Sequence, residues 1–206
     1  MIGSQGKARV LDVGSAAGFL LRGFIGEGWS GIGIEPNSTM AHYARSELRL
    51  NVENTTFEDF ETDEEFDVVT MFQVIAHFED PRFAIEKASN LLVPGGLLLV
   101  ESWNRRSFVA RILGQSWHEY NPPTVRHWFS REGLDRLASQ FQLTKVRSGR
   151  MTKWISAAYA KSILHYNCPR NGRFFLINHL AELMPAGLSV PYPGDDLFWS
   201  IFRKTS

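Results

Sequence analysis

The sequence predicts an α/β protein built on a doubly wound parallel sheet, and three observations carry that prediction. Over the first hundred residues, short β-rich runs alternate with segments of helical period, the order expected when crossover helices join parallel strands. The first run ends in a glycine-containing turn, Asp12-Val13-Gly14-Ser15-Ala16-Ala17-Gly18. The chain has 206 residues, 44% of them apolar, which is ample for a real core within one domain.

Taken in order, Ala8 to Val13 reads as a buried strand that ends at Gly14. Ala16 to Gly28 reads as a helix with Phe19, Leu20, Phe24 and Ile25 on its apolar side. Ser30 to Ile34 is a second strand, stopped at Glu35-Pro36 because proline removes a ladder donor. Asn37 or Ser38 caps a helix through Met40, Ala44 and Leu48. Val52 to Phe57 forms a weak third strand, and Phe66 to Phe72 a much stronger fourth. Asp80-Pro81 opens a helix through Phe83, Ile85, Ala88 and Leu92, with proline in its first turn. Val93-Pro94-Gly95-Gly96 then turns into a fifth strand, Leu97 to Ser102.

Beyond Ser102 the rhythm changes. Residues 103–129 are rich in Trp, Arg, His and Pro and read as an irregular insertion with a short helix from Ser107 to Leu113. Ser130 to Phe141 reads as a helix with an imperfect capping box, and Leu143 to Arg150 as a sixth strand. Residues 154–187 read as amphipathic helix broken at Pro169, and Asp195 to Lys204 as a final strand.

Charge is unevenly distributed along the chain. Lys+Arg and Asp+Glu are equal at 22 each, yet residues 1–103 hold 7 basic and 16 acidic side chains, and the remainder holds 15 and 6. Either two solvated faces carry opposite sign, or the basic half steers an anionic substrate toward a site between the halves. A single cysteine, Cys168, excludes an internal disulfide and fits a reducing compartment. The longest apolar stretch, Leu91 to Val100, is far short of the roughly 20 residues that cross a bilayer. No secretory signal pattern opens the chain, so a soluble, cytoplasmic protein is expected. The six histidines lack metal-ligand spacing, and no metal site is expected.

The turn after the first strand suits a ligand. Its small residues let the backbone come close, and it leads into a helix N-terminus, where free N–H groups favour anions. Glu35 closes the second strand, where an acidic side chain can accept both hydroxyls of a ribose. The dinucleotide fingerprint would need glycine at 14, 16 and 19; the chain has Gly14, Ala16 and Phe19. It carries instead Asp-x-Gly-x-x-x-Gly, with glycines at 14 and 18.

Five stretches in order resemble the successive motifs of class I S-adenosylmethionine-dependent methyltransferases. They are the Asp12–Gly18 loop, Glu35, Phe66-Asp67-Val68-Val69, Val74-Ile75-Ala76-His77-Phe78-Glu79-Asp80-Pro81, and Leu92-Val93-Pro94-Gly95-Gly96-Leu97. More loosely, Gly114-Gln115-Ser116-Trp117 and His127-Trp128-Phe129-Ser130 resemble the post-sheet region of small-molecule, ubiquinone-type O-methyltransferases. The resemblance implies a Rossmann-like seven-stranded sheet of order 3-2-1-4-5-7-6, strand 7 antiparallel, with helices on both faces. It implies a single methyltransferase domain over 1–206, with a cofactor-binding core at 8–103, a substrate-side insertion and helices at 104–190, and the last strand at 195–204.

Carried over residue by residue, the resemblance implies that Gly14, Ser15, Ala16 and Gly18, with the adjoining Phe19, line the methionine part of S-adenosyl-L-methionine. Asp12 would face its amino group, Glu35 with Pro36 its ribose, Phe57 and Glu58 its adenine, and Phe72 and Gln73 its sulfonium. Ala16 stands where the family has a middle glycine. The family also has a helix before the first strand that covers the cofactor, whereas only Met1 to Lys7 precede it here. Either the chain is a fragment, or the insertion and the later helices supply the cover.

Methyl transfer to oxygen needs alignment of the nucleophile, exclusion of water and a base, for which histidine is suited. His77, just past the fourth strand, and His127, in the post-sheet segment, are the candidates, with His118 nearby. Each has a plain alternative: His77 can brace a turn, and His127 can pack beside Trp128. A purely positional mechanism without a base is also open. Asn121-Pro122-Pro123-Thr124 reads as a loop, since it follows the fifth strand and carries Thr124 where amino-group methyltransferases have an aromatic residue. The reading that results is methyl transfer to a small-molecule acceptor, at oxygen. The alternatives are a non-catalytic cofactor-binding or partner module and, less favoured because the arginines are scattered, a nucleic-acid methyltransferase.

Overall fold

A computed structural model describes residues 7–150, 154–159, 161–162, 179, 182–185, 187–191 and 196–205. The strands are β1 (Arg9–Val13), β2 (Ser30–Ile34), β3 (Val52–Glu53), β4 (Phe66–Phe72), β5 (Leu92–Trp103), β6 (Leu143–Arg150), β7 (Trp154–Ser156), β8 (Ser189–Pro191) and β9 (Leu197–Lys204). The helices are α1 (Phe19–Gly26), α2 (Ser38–Ser46), α3 (Pro81–Asn90), α4 (Phe108–Leu113) and α5 (Arg131–Ser139).

Seven strands form one sheet of order β3-β2-β1-β4-β5-β9-β6. The pairs from β3 to β5 are parallel, and β9 runs antiparallel to both β5 and β6. In sheet position β9 is the seventh strand of the implied order, because β7 and β8 pair only with each other. The alternation of side chains along the strands gives the sheet two buried faces. Leu11, Val69 and Met71 pack with Ile85 and Ala88 of α3 and with Leu134 and Ala138 of α5. On the opposite face Val10 and Val68 pack with Leu21 of α1 and with Ala41 and Ala44 of α2.

Local chemistry sets the helix starts. Asn37 caps α2 by accepting the Thr39 and Met40 amides, Asp80 caps α3 through the Arg82 amide, and Ser130 caps α5 through the Gly133 amide. Helix α1 begins at Phe19, not Ala16, because Ala16 and Gly18 both have positive φ and cannot continue a right-handed helix.

Three other elements differ from expectation. The third strand has only two residues, each paired to β2, so the edge of the sheet is short. The fifth strand begins at Leu92: its partner on β4 shifts from Phe66 to Val68 while β5 advances from Leu92 to Leu97, so Val93 to Gly96 form a bulge within the strand. Most of 154–187 lies outside the described residues, as do Pro169 and Asp195; of the described ones, Ala157–Tyr159, Lys161 and Ser162 are helical as expected, whereas Trp154–Ser156 is a strand. Its partner β8 is distant in sequence, which local periodicity cannot register.

Gly18 takes φ +83, and a methyl group there would lie 2.6 Å from Leu50 Cδ1 and 3.2 Å from Ala44 Cβ. Gly18→Ala is therefore expected to destabilise the fold by about 2 kcal/mol or more, from left-handed strain of roughly 1–2 kcal/mol and from repacking. A urea titration checks this, and an unchanged midpoint would show that the turn relaxes freely.

Candidate active site

The parallel strands end at one edge of the sheet, where α/β folds place their ligands. There the end of β2 clasps the turn after β1. The Ile34 carbonyl accepts the Gly14 and Ser15 amides at 2.8 and 2.9 Å. Glu35, 8% exposed, accepts the Ala16 amide on Oε2 and the Asn37 amide on Oε1, both at 2.8 Å. Each carboxylate oxygen keeps unused lone-pair capacity, since an ionised carboxyl has about four acceptor positions.

This clasp borders a cleft of about 770 Å³. Gly14 and Ala16 line its loop side, Glu35 and Pro36 its β2 side, Phe57 and Glu58 a third side, and Phe72 and Gln73 the end of β4. Gly14 allows this closeness, because a Cβ there would lie 2.2 Å from Val74 Cγ1. Gln73 also has positive φ, held by its amide on the Glu101 carbonyl at 2.9 Å and by Nε2 on Glu101 Oε1 at 2.7 Å.

The remaining loop residues lie away from the lining. Ser15 is buried, with its Oγ 2.7 Å from the Cβ position of Gly33. Gly18 is the N-cap of α1, and Phe19 is 66% exposed against Tyr43. Asp12 is 2% exposed, and its Oδ1 accepts the Thr70 hydroxyl at 2.6 Å. Burial pushes the Asp12 carboxyl up to about 6; the Thr70 hydrogen bond and the Leu21 backbone oppose this, and the charge of Glu35 adds to it. The Leu21 backbone acts on the group, although no hydrogen bond of ordinary geometry reaches Oδ2.

The two histidine candidates separate. His77 lines the cleft, and its Nδ1 lies 2.7 Å from the Thr124 carbonyl. A carbonyl only accepts, so Nδ1 carries the hydrogen and the neutral ring keeps its lone pair on Nε2. His127 lines a neighbouring pocket instead, with Nε2 3.3 Å from the Glu79 carbonyl. His118 packs edge-on against Trp103. What carries the insertion to the cleft is a docking of 124–127 on the turn after β4: the Arg126 and His127 amides both donate to the Ala76 carbonyl, and Arg126 pairs with Glu79 at 2.7 Å. Arg126 thereby joins the cleft lining, as do Asp59, Val74, Phe78 and Glu79, none of them foreseen. Phe78 and Glu79 follow His77 in the same turn, a signal that could have found them; Arg126 had no local signal.

The cleft carries Glu35, Glu58, Asp59 and Glu79 against one guanidinium, Arg126. That charge suits a cationic ligand, and the acceptor capacity of Glu35 suits hydroxyls. Phe57 and Phe72 supply apolar walls, so the residues present fit S-adenosylmethionine. Strand order, glycine turn and acidic cleft together define a class I S-adenosylmethionine-dependent methyltransferase. The chain belongs to the methyltransferase domain family, which it matches over residues 3–148.

Its relatives include the ubiquinone biosynthesis O-methyltransferase of Rhodopseudomonas palustris strain BisB5, 34% identical over 142 residues, or 65% of this chain and 56% of the relative. The protein of the same name in Bradyrhizobium diazoefficiens is 30% identical over 166 residues, 72% of this chain and 66% of the relative. The first of these matches, like several others, thus spans about half the relative's length. Among solved structures, the YcgJ protein of Bacillus subtilis covers all of this chain and is itself 95% covered, with TM-score 0.68 and 19% identity. The N-methyltransferase NodS of Bradyrhizobium japonicum, solved with S-adenosyl-L-homocysteine, has TM-score 0.61 and 17% identity, over 97% of this chain and 79% of its own. These structures share the fold.

Asp12 makes stability depend on pH. Its folded pKa lies above the unfolded value of 3.8, so its contribution is most favourable below pH 4 and is lost as pH rises through about 6. The loss amounts to about 3 kcal/mol at most. Asp12→Asn, which keeps an acceptor for Thr70, should flatten this slope in urea titrations at pH 4.5 and 7.5. Parallel pH profiles for both proteins would contradict the assignment.

Proposed function

We propose that the chain transfers a methyl group from S-adenosylmethionine to a hydroxyl of a small-molecule acceptor, with His77 as the base. The observation that carries this reading is the His77–Thr124 hydrogen bond, which leaves an Nε2 lone pair on a ring at the cleft. The name shared by relatives about 30% identical supports transfer to oxygen. Bound in the cleft, the cofactor supplies a methyl group on a positively charged sulfur, which needs no acid to leave. Glu35 and Pro36 hold its ribose, Phe57 and Glu58 flank its adenine, and Gly14 and Ala16 let the backbone approach its methionine part. Phe72 and Gln73 face its sulfur. Asp12, with Ser15 and Gly18, shapes the turn from behind the lining.

His77 Nε2 takes the proton from the acceptor hydroxyl, and the Thr124 carbonyl stabilises the imidazolium through Nδ1–H. The chain after residue 103 supplies the acceptor side, and Leu197–Lys204 completes the sheet. A cytoplasmic location fits the single cysteine. Among the described residues no helix is long and apolar enough to cross a membrane, and no cluster of His, Cys, Asp or Glu fits a metal ion.

Glu35→Ala is expected to weaken S-adenosylhomocysteine binding by about 1.5–3 kcal/mol in calorimetry, the range for hydrogen bonds to a charged group. Unchanged affinity in the folded variant would remove Glu35 from the ribose site. His77→Gln is expected to lower kcat by about 10²–10⁴, with cofactor affinity retained. Full turnover in that variant, followed with a labelled methyl group, would point to a mechanism of positioning alone.

A further inference from the structure

Beside the acidic cleft the surface changes sign. Two adjoining pockets of about 430 and 320 Å³ share Arg105, Trp128, Phe129 and Leu137. Arg126 lines both the first of them and the cleft, so the pockets continue the cleft along the insertion. Arg82, Arg105 and Arg126 face the first pocket against a single carboxylate, Asp80, which is engaged in capping α3. The second pocket adds Arg106.

These cations are not equivalent. Arg82 lies over the Phe141 ring and reaches Gln140. Arg126 pairs with Glu79, and Arg106 with Glu132 at 3.6 Å. Arg105 stands where the two pockets overlap, and among the described residues its guanidinium has no carboxylate partner. Its backbone is held, because its amide donates to the Phe129 carbonyl at 2.8 Å. The aromatic wall beside it is also fixed: Trp128 stacks on Tyr120 at 5.1 Å and donates Nε1 to the Glu119 carbonyl at 2.7 Å.

We infer that this groove is an acceptor subsite, in which Arg105 receives a carboxylate carried by an aromatic methyl acceptor while Trp128 and Phe129 contact its ring. Arg82 is held by Gln140 and the Phe141 ring, which leaves Arg105 as the groove's guanidinium with no side-chain partner among the described residues, and its fork geometry matches a carboxylate. The arrangement also sorts charge: carboxylates surround the cationic cofactor, guanidinium groups surround the anionic acceptor, and Arg126 stands between them. The inference rests on the methyltransferase reading and adds the chemical class of the acceptor.

The test compares two probes that differ by one carboxylate, 3,4-dihydroxybenzoate and catechol, titrated into the protein with S-adenosylhomocysteine present. The benzoate is expected to bind at least about tenfold more tightly than catechol. Arg105→Gln should abolish that preference without changing S-adenosylhomocysteine affinity, whereas Arg22→Gln, an exposed arginine on α1, should preserve it. Equal affinity for the two probes, no detectable binding of the benzoate, or a preference that survives Arg105→Gln would each overturn the subsite. Tighter binding of phenyl phosphate than of benzoate would overturn the carboxylate assignment. If S-adenosylhomocysteine failed to bind while the carboxylate preference held, the methyltransferase reading would fall and the anion subsite would stand.

Discussion

The buried carboxylate of Glu35 joins three parts of the chain that sequence keeps apart. It ends β2, accepts an amide of the turn after β1, and accepts the amide of the residue that caps α2. The neighbouring Ile34 carbonyl takes the two preceding turn amides. With those donors satisfied, the turn has a defined shape although Ala16 occupies a backbone region that costs an ordinary residue about 1–2 kcal/mol. The same pairing explains why the turn presents few free amides: the donors that could have met an anion are used to hold the loop on β2. What remains at the cleft is acceptor capacity and negative charge, which selects for hydroxyls and cations.

The second constraint is the attachment of the insertion to the turn after β4. Five contacts made by residues 124–127 to residues 76–79 set both the tautomer of His77 and the position of Arg126. The exposed Arg126–Glu79 pair adds little stability by itself. The backbone bonds to Ala76 do the positioning, and the charges follow. The acidic and basic regions therefore meet at one residue, although formal charge over the whole chain is zero.

Buried groups beneath the site serve the turn more than the ligand. Asp12 lies under the start of α1, tied to Thr70 of the adjacent strand, and burial keeps its proton at pH values where an exposed aspartate has lost it. Ser15 fits against Gly33 in the same way. An acidic residue in a ligand-binding turn can thus act on the loop from behind.

The sequence by itself determined the sheet. β1 and β4 are runs rich in β-favouring residues, β2 and β6 mix such residues with glycine and polar ones, and both the helix caps Asp80 and Ser130 and the cleft residues Gly14, Glu35, Phe57, Phe72 and His77 were legible there. These features depend on near neighbours or on ordered motifs, so a linear reading reaches them. Tertiary structure alone decided which loop residues line the cleft, the bulge in β5, the pairing of β7 with β8, and the separation of His127 from His77. Each of those depends on a partner far along the chain: Leu50 against Gly18, β4 against β5, Ser189–Pro191 against Trp154–Ser156, Ala76 against His127. Contacts over such distances leave no periodicity in the sequence, because each element's own residues would accept more than one partner.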